Sequence, residues 1–363
     1  MVGKTGGETM NTFKRFAEKM QGKADAVVAF SPINRRWLTN FKSSAGYVVV
    51  TPEKAYIGVD FRYIEAAKKA GNEAGIEVIR YEKQMESLAN LLDDLGAQVV
   101  GYEEQYMTVA DFKAFKAAVG KKKYVGVSSI FTELRAIKEP FEIERIAKAA
   151  EITDKAFLYA LSIIRSGMTE KQLQQEIDTF FIKNGADGNA FDSIVLAGEN
   201  TSRPHGVPSD RAFKTGDLIL MDTGCMYDGY CSDMTRTVAL GYIKDEAVEA
   251  YNTVLAAQQI ALNRIKAEEK AAMMDKAARD IIDGAGWAEN FGHSLGHGVG
   301  LEIHENPSLS TRSKDILREN AVVTVEPGVY FEGKFGIRIE DMVLVTESGL
   351  RNFTGSKKQL IVV

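Results

Sequence analysis

The first 130 or so residues alternate short runs of β-favouring residues with amphipathic stretches. The β-rich runs lie at 26–30 (AVVAF), 46–51 (GYVVVT), 56–59 and 98–101, and short runs rich in valine and aromatic residues are typical of strands. Between them, at 63–71 and 85–95, apolar residues recur at helical spacing. This alternation of strands and helices predicts a small α/β domain.

The pattern changes near residue 133. Pro140 is placed to begin a long helix, because apolar residues follow it at spacings of three, four or seven as far as Ile164, and Gly167 ends it. Further helices are predicted at 172–183, 245–264 and 270–284, and strands at 194–196, 218–222, 237–240, 321–325, 336–339 and 342–346. A loop rich in histidine and glycine follows the last helix. This half is predicted to be an α+β domain with a curved antiparallel sheet.

These patterns divide the chain into three parts. Residues 1–9 (MVGKTGGET) are interpreted as a disordered or artificially added N-terminus. Residues 10–132 form the predicted N-terminal α/β domain, and residues 133–363 form the α+β domain.

Composition narrows the classes of function. Of the 363 residues, 45% are hydrophobic and 26% charged, which is typical of a globular protein, and a net charge of −5 argues against a nucleic-acid partner. The two cysteines cannot form a disulfide framework and fit a reducing compartment. No apolar run approaches the roughly 18 residues of a membrane span, and the N-terminus lacks the apolar stretch of a signal peptide. We therefore expect a cytoplasmic protein without a membrane partner.

Histidine is scarce in this chain, and its few copies are clustered. Three of the four histidines, His293, His297 and His304, fall within twelve positions, and His205 lies in a separate loop (RPHGVPSD). Imidazole is both a common metal ligand and a proton carrier near neutral pH. The cluster therefore indicates metal or proton chemistry.

Four carboxylates stand at the ends of predicted strands. Asp222 closes LILMD, Asp233 follows the turn-like segment MYDGYCS, Glu326 follows AVVTV and Glu340 lies in GIRIED. The turn between Asp222 and Asp233 is expected to bring these two side chains together across a hairpin. Four carboxylates and the imidazole of His297 suit a pair of hard or borderline divalent cations, because bridging carboxylates can hold two metals about 3.5–4 Å apart.

The order and spelling of these motifs resemble the pita-bread metallopeptidases. The segments DTG, YCSDMTRT, GHGVGLEIHE, EPGVY and GIRIED are similar to the ligand motifs of that family, and all five ligand positions are filled in order. Within the family, the chain most resembles aminopeptidase P and Xaa-Pro dipeptidase (prolidase), because an α/β domain precedes the catalytic one. The resemblance implies a creatinase-like domain at 10–132 and a pita-bread catalytic domain at 133–363.

The same resemblance implies a set of metal ligands and a reaction. Asp222 would bind one metal, Asp233 and Glu340 would bridge both, and His297 and Glu326 would complete the shell of the other. The ions would be two manganese, cobalt or zinc ions. A hydroxide between them would attack the peptide bond that precedes proline, and Glu326 would pass a proton to the leaving amine.

Other residues match substrate positions of the family. His205 is similar to a loop histidine that touches the substrate near the scissile bond, and His304 to one that stabilises the tetrahedral intermediate. His293 is similar to a histidine lining the proline pocket. Tyr330, in EPGVY, matches a tyrosine near the active site.

Arg338 lies two residues before Glu340. Residues at this spacing on a strand share a face. Arg338 is therefore predicted to pair with Asp222 and to hold that ligand in place, and the family resemblance implies the same pairing.

Two questions about function stay open in the sequence. No residue decides between an Xaa-Pro aminopeptidase and an Xaa-Pro dipeptidase. The alternatives from other classes are a creatinase-like hydrolase and a metal-free binding protein of the same fold, against which the five intact ligand positions argue. The resemblance implies a metallo-exopeptidase that acts on peptides with proline after the scissile bond and forms a homodimer.

Overall fold

The computed structural model describes residues 6–363, and the chain divides into two compact units between Arg135 and Ala136. Residues 1–5 of the expected disordered or added N-terminus lie outside the described residues, whereas residues 6–9 of that segment are helical. Within the described residues, no helix combines the length and the apolar character that crossing a membrane requires.

From residue 6 onward, the first unit contains a six-stranded mixed sheet and six helices. The strands are Ala26–Ala29 (β1), Tyr47–Val50 (β2), Ala55–Val59 (β3), Glu77–Arg80 (β4), Val99–Tyr102 (β5) and Lys123–Gly126 (β6). The helices are Gly6–Met20 (α1), Pro32–Thr39 (α2), Ile64–Ala74 (α3), Gln84–Asp94 (α4), Val109–Val119 (α5) and Ser128–Ala136 (α6). The sheet order is β4-β3-β2-β1-β5-β6, with β2 antiparallel to both of its neighbours and the other pairs parallel.

The sheet explains which strands the pattern predicted. Strands β1, β2 and β3 are buried along their whole length, so they appear in the sequence as unbroken apolar runs. The pattern does not predict strands β4 and β6, because they form the two edges of the sheet and are half exposed, which leaves little hydrophobic signal.

The second unit is built from four long helices and thirteen short strands. The helices are Pro140–Ile163 (α7), Glu170–Lys183 (α8), Asp245–Leu262 (α9) and Ala271–Gly284 (α10). The strands are Gly188–Asn189 (β7), Ile194–Ala197 (β8), Leu218–Thr223 (β9), Cys225–Tyr227 (β10), Tyr230–Cys231 (β11), Met234–Ala239 (β12), Gly296–Gly298 (β13), Glu305–Leu309 (β14), Val322–Val325 (β15), Gly328–Phe331 (β16), Phe335–Arg338 (β17), Asp341–Val345 (β18) and Leu350–Asn352 (β19). These strands pair antiparallel, in the orders β11-β10-β7, β12-β9-β8, β14-β13-β15-β18-β19 and β16-β17.

The helices of this unit begin where local chemistry favours it. Pro140 is the first residue of α7, as the sequence predicts, and the Glu142 carboxylate accepts a hydrogen bond from the Glu139 backbone N–H at 2.8 Å. Helix α8 begins two residues earlier than predicted, because Thr169 and Gln172 form a reciprocal capping box.

The predicted hairpin brings two of the candidate ligands together. Strand β9 pairs with β12 so that Asp222 lies opposite Thr235, and Asp233 directly precedes β12. The connecting turn contains Asp228 and Gly229 with φ of 44° and 79°, and positive φ at both central residues is typical of a tight hairpin turn. Asp222 and Asp233 are therefore held at the same end of the hairpin.

His297 lies on a short strand, so its predicted loop position is wrong. Strand β13 pairs with both β14 and β15. A Cβ atom added at Gly296 would lie 2.1 Å from the Thr324 carbonyl oxygen, and one at Gly298 would lie 2.3 Å from the Asn306 carbonyl oxygen. Glycine is therefore required on both sides of His297, because a side chain there would collide with a neighbouring backbone. The same glycines make the segment resemble a loop in the sequence.

Candidate metal centre

A cavity of about 370 Å³ in the second unit collects nearly all the predicted site residues. This volume lies in the range of small-molecule sites. The lining consists of Phe191, Asp192, Ile194, Pro204, His205, Asp222, Asp233, His293, Ser294, His297, Ile303, His304, Glu326, Arg338 and Glu340. Of the residues predicted from the sequence, Tyr330 alone lies outside this lining, although its hydroxyl contacts two members of it.

The centre of the cavity holds the candidate ligands within reach of one another. Asp233, His297 and Glu340 each contribute one donor atom to a group whose members lie within 4.8 Å of one another. The His297 Nε2 atom is 3.6 Å from Asp233 Oδ2 and 3.3 Å from Glu326 Oε1. Residues separated by more than 100 positions in the chain thus converge on a volume that a cation could occupy.

The protonation of His297 fits a metal ligand. Its Nδ1 atom lies 3.1 Å from the Gly298 carbonyl oxygen, which can only accept, so Nδ1 carries the proton and Nε2 of the neutral ring presents a lone pair. Burial lowers the pKa of His297 to about 4, and the neighbouring His304 adds to this shift. The ring is therefore neutral at physiological pH, and its lone pair faces carboxylate oxygens, an arrangement that a bound cation stabilises.

Two buried carboxylate oxygens accept no hydrogen bond from the described residues. They are Asp222 Oδ1 and Glu340 Oε1. A buried polar atom without a partner costs free energy, on the order of 1–3 kcal/mol and more for a charged group. Carboxylate oxygens are preferred ligands of hard divalent cations. The residues present therefore fit a divalent metal, and the two unsatisfied oxygens are the observation that shows it.

Three carboxylates of the cavity, Asp233, Glu326 and Glu340, hold protons more tightly than ordinary ones. Burial raises the pKa of Asp233 and of Glu340 well above the usual range, and the repulsion of neighbouring carboxylates adds to it. Burial also raises the pKa of Glu326 to about 8, and Asp222 contributes. A cation would reverse these shifts, because it favours the charged form of each ligand.

Arg338 supports Asp222 through a direct ion pair. Its Nη2 atom donates to Asp222 Oδ2 at 2.5 Å, and both side chains are largely buried. Its Nη1 atom donates to the Tyr330 hydroxyl at 2.7 Å, and Tyr330 lies 3.0 Å from His293 Nε2. The structure thus contains the Arg338–Asp222 contact that the strand spacing predicts, within a longer chain of hydrogen bonds.

The three remaining histidines differ in how free they are to meet a substrate. His293 is engaged at both nitrogens, by the Ser294 carbonyl oxygen at 2.8 Å and by Tyr330, and burial lowers its pKa to about 4. His205 and His304 are exposed at the cavity. The ring of His304 lies 4.4 Å, centroid to centroid, from that of His297. His304 and His205 are therefore the histidines placed to donate to a bound molecule.

Two threonines that the sequence pattern did not single out contact the candidate ligands. The Thr235 hydroxyl donates to Glu340 Oε2 at 2.7 Å, and the Thr324 hydroxyl donates to Glu326 Oε1 at 3.3 Å. Each threonine lies two residues from a carboxylate ligand on or beside the same strand, Thr235 from Asp233 and Thr324 from Glu326. The spacing rule that singled out Arg338 could therefore have found both.

Comparison with known proteins places both units in described families. The description "Metallopeptidase family M24" matches residues 144–347, and "Creatinase/Prolidase N-terminal domain" matches residues 13–137. The peptidase YqhT of Bacillus subtilis is 39% identical over 340 residues, which are 93% of this chain and 96% of that protein.

Two solved structures resemble the whole chain. A Bacillus anthracis structure described as an Xaa-Pro dipeptidase has a TM-score of 0.94 and 38% identity, covering 98% of this chain and all of that one. A Thermotoga maritima structure described as an X-Pro aminopeptidase has a TM-score of 0.90 and 36% identity, covering 96% of this chain and 99% of that one. These matches confirm the predicted fold class and family. The chain belongs to metallopeptidase family M24 and is a metallo-exopeptidase with a creatinase/prolidase N-terminal domain.

Proposed function

We propose that this protein hydrolyses the peptide bond before proline with two divalent cations held by Asp222, Asp233, His297, Glu326 and Glu340. The observation that carries the metal assignment is the pair of buried, unsatisfied oxygens on Asp222 and Glu340. The preference for proline is supported by the relatives, whose descriptions name Xaa-Pro peptidases of both kinds. Manganese, cobalt and zinc all accept such a set of oxygen and nitrogen donors.

The cations would polarise the scissile carbonyl and lower the pKa of water toward neutrality. Three side chains have roles in the reaction itself. Glu326 takes a proton from the attacking water and passes it to the leaving amine. His304 donates a hydrogen bond to the oxygen that becomes negative as the carbonyl is attacked, and His205 contacts the substrate beside the scissile bond.

His293 is proposed to form a wall of the proline site. Its two ring nitrogens are already engaged, by Ser294 and by Tyr330, so it offers the substrate a surface rather than a donor. Tyr330 would support His293 without touching the substrate, because its hydroxyl accepts a hydrogen bond from Arg338 and lies within hydrogen-bond distance of His293.

The experiment uses the purified 363-residue chain, stripped with a chelator and reloaded separately with manganese, cobalt or zinc. Substrates are an Xaa-Pro dipeptide, the Xaa-Pro-Yaa tripeptide that extends it, and both peptides with alanine in place of proline. We expect hydrolysis only after reloading, strong preference for the proline peptides, and about two metal equivalents per chain by elemental analysis.

The outcomes separate the alternatives. Cleavage of the tripeptide alone identifies an aminopeptidase, and cleavage of the dipeptide alone identifies a dipeptidase. Equal hydrolysis in chelator, or equal cleavage of the alanine peptides, contradicts the proposal. A protein that binds no metal would favour a creatinase-like hydrolase or a binding protein. The expected homodimer and cytoplasmic location stay predictions, and sedimentation of the purified chain tests the first.

A further inference from the structure

Thr235 is buried within the metal centre and has no assigned role. It lies on β12, its side chain is fully inaccessible, and its position is opposite Asp222 on β9. Its hydroxyl contacts two charged side chains. It donates to Glu340 Oε2 at 2.7 Å and accepts from Arg338 Nε at 3.0 Å.

The direction of these hydrogen bonds is fixed by chemistry. A guanidinium group can only donate, so the Arg338 Nε–H must use a lone pair of the Thr235 oxygen. Ionised Glu340, the form that binds a cation, can only accept, so the single hydroxyl proton of Thr235 goes to Glu340 Oε2. This bond leaves Oε1, the oxygen without a hydrogen-bond partner, as the atom of Glu340 that is available to a cation.

The same arginine holds the other unsatisfied carboxylate. Arg338 Nη2 donates to Asp222 Oδ2, which leaves Asp222 Oδ1 without a hydrogen bond. One continuous chain of hydrogen bonds therefore runs from Asp222 through Arg338 and Thr235 to Glu340. Each end of the chain occupies one oxygen of a carboxylate and leaves the other free.

We infer that Thr235 is a positioning residue whose hydroxyl orients Glu340 for metal binding and couples it to Asp222 through Arg338. This inference rests on the metal centre proposed above. Partners that orient metal ligands typically contribute 10–100-fold to metal affinity. The hydroxyl of Thr235, rather than the volume of its side chain, orients Glu340.

The chain offers a matched control two residues away. Thr237 lies on the same strand and is 1% exposed. Its hydroxyl also donates once and accepts once, but its partners are the backbone oxygen and N–H of Arg338, at 3.0 and 3.3 Å. Loss of this hydroxyl removes the same number of buried hydrogen bonds, here to backbone groups, without removing a contact to a ligand side chain.

The test measures metal affinity of the stripped protein by calorimetric titration with manganese and with zinc, and the melting temperature of the same metal-free samples. Thr235→Val keeps the shape and removes the hydroxyl, Thr235→Ser keeps the hydroxyl, and Thr237→Val is the control. We expect Thr235→Val to bind metal about 10–100-fold more weakly, and Thr235→Ser and Thr237→Val to stay within about threefold of the wild type. Both Thr235→Val and Thr237→Val should lower the metal-free melting temperature, and only Thr235→Val should also weaken metal binding.

Several results would overturn the inference. They are wild-type affinity in Thr235→Val, equal weakening in Thr235→Ser, or equal weakening in Thr237→Val. If Thr235→Val does not fold, Thr235→Ala is measured in its place with the same expectations. A wild-type protein that binds neither ion overturns the metal centre itself and this inference with it, whereas normal wild-type binding with an unaffected Thr235→Val overturns the inference alone.

Discussion

Glu103 in the first unit and Glu340 in the second are both 1% exposed carboxylates beside a strand, yet their surroundings differ. Both oxygens of Glu103 are used. Its Oε2 accepts from the backbone N–H groups of Phe30 and Ser31, at 2.5 and 2.9 Å, and its Oε1 accepts from Asn34 Nδ2 at 2.7 Å. Glu340 has one oxygen on Thr235 and the other without a partner.

The difference teaches how to distinguish a structural carboxylate from a ligand. Glu103 joins the end of β5 to the start of α2, and burial raises its pKa although three donors oppose the shift. These three donors satisfy the hydrogen-bonding capacity of both Glu103 oxygens without a cation. Glu340 accepts from one donor, Thr235, and otherwise faces carboxylates, so its pKa is raised by burial and by Asp233 and Glu326. Burial alone therefore does not identify a site, whereas an unsatisfied oxygen among like charges does.

The largest effect should follow removal of a carboxylate proposed to bridge the cations. Asp233→Ala and Glu340→Ala should each abolish hydrolysis and reduce bound metal, because each removes a carboxylate that would hold both cations. The measurements are elemental analysis and hydrolysis of a proline peptide. Full activity in either variant would refute the bridging assignment.

Removal of a side chain that meets only the substrate should separate metal binding from catalysis. His304→Ala should lower kcat about 10²–10³-fold, as expected for loss of one donor to a developing oxyanion. Bound metal should be unchanged, which distinguishes this variant from Glu340→Ala. An unchanged kcat would exclude His304 from the reaction.

The metal-free protein should become less stable as pH rises. The pKa of Glu326 is about 8 in the folded protein, against an ordinary value of 4.5. Because the folded state holds this proton more tightly, the resulting stabilisation is complete below the ordinary value and is lost as pH rises through about 8. His293 and His297, whose pKa is about 4 in the folded protein, oppose this fall below about pH 6.5 and are neutral in both states above it. The melting temperature of stripped protein should therefore fall between about pH 7 and about pH 8.5.

Glu326→Gln is the control for this fall of the melting temperature with pH, because glutamine does not titrate. The variant should show a shallower fall in melting temperature over the same pH range. Saturating metal should also reduce the slope in the wild type, since the cation replaces the proton. Identical slopes in the stripped variant and the stripped wild type would show that Glu326 does not carry the effect.

The smallest effect on function should follow substitution of Glu103, the structural carboxylate of the first unit. Glu103→Ala leaves buried donors of Phe30, Ser31 and Asn34 without an acceptor, so the free energy of unfolding should fall by about 1–3 kcal/mol or more. Metal content and the kcat of the folded fraction should stay as in the wild type. Urea denaturation and elemental analysis check both statements, and loss of bound metal would contradict the contrast between the two glutamates.

The fold was predictable where its elements have strong local signals, whereas helices α1, α2, α5 and α6 had no predicted counterpart. Pro140 begins α7 as expected, and the buried strands β1 to β3 were recognised from their apolar runs. The short strand that carries His297 was not, because its flanking glycines are selected by neighbouring backbones rather than by local preference. A sequence pattern indicates how a residue influences the conformation of its own segment. It indicates little about which other segment will pack closely against it.

By itself, the sequence determined the family, the two-part architecture and the five candidate ligands, because strand ends, hairpin turns and motif spellings are local properties of the chain. Only the tertiary structure decided which carboxylate oxygens lack a partner, which nitrogen of His297 has a lone pair, and that Thr235 links two ligands. The physical reason is that hydrogen-bond partners come from distant segments: Thr235 and Glu340 are 105 positions apart, and Asp222 and Arg338 are 116 apart.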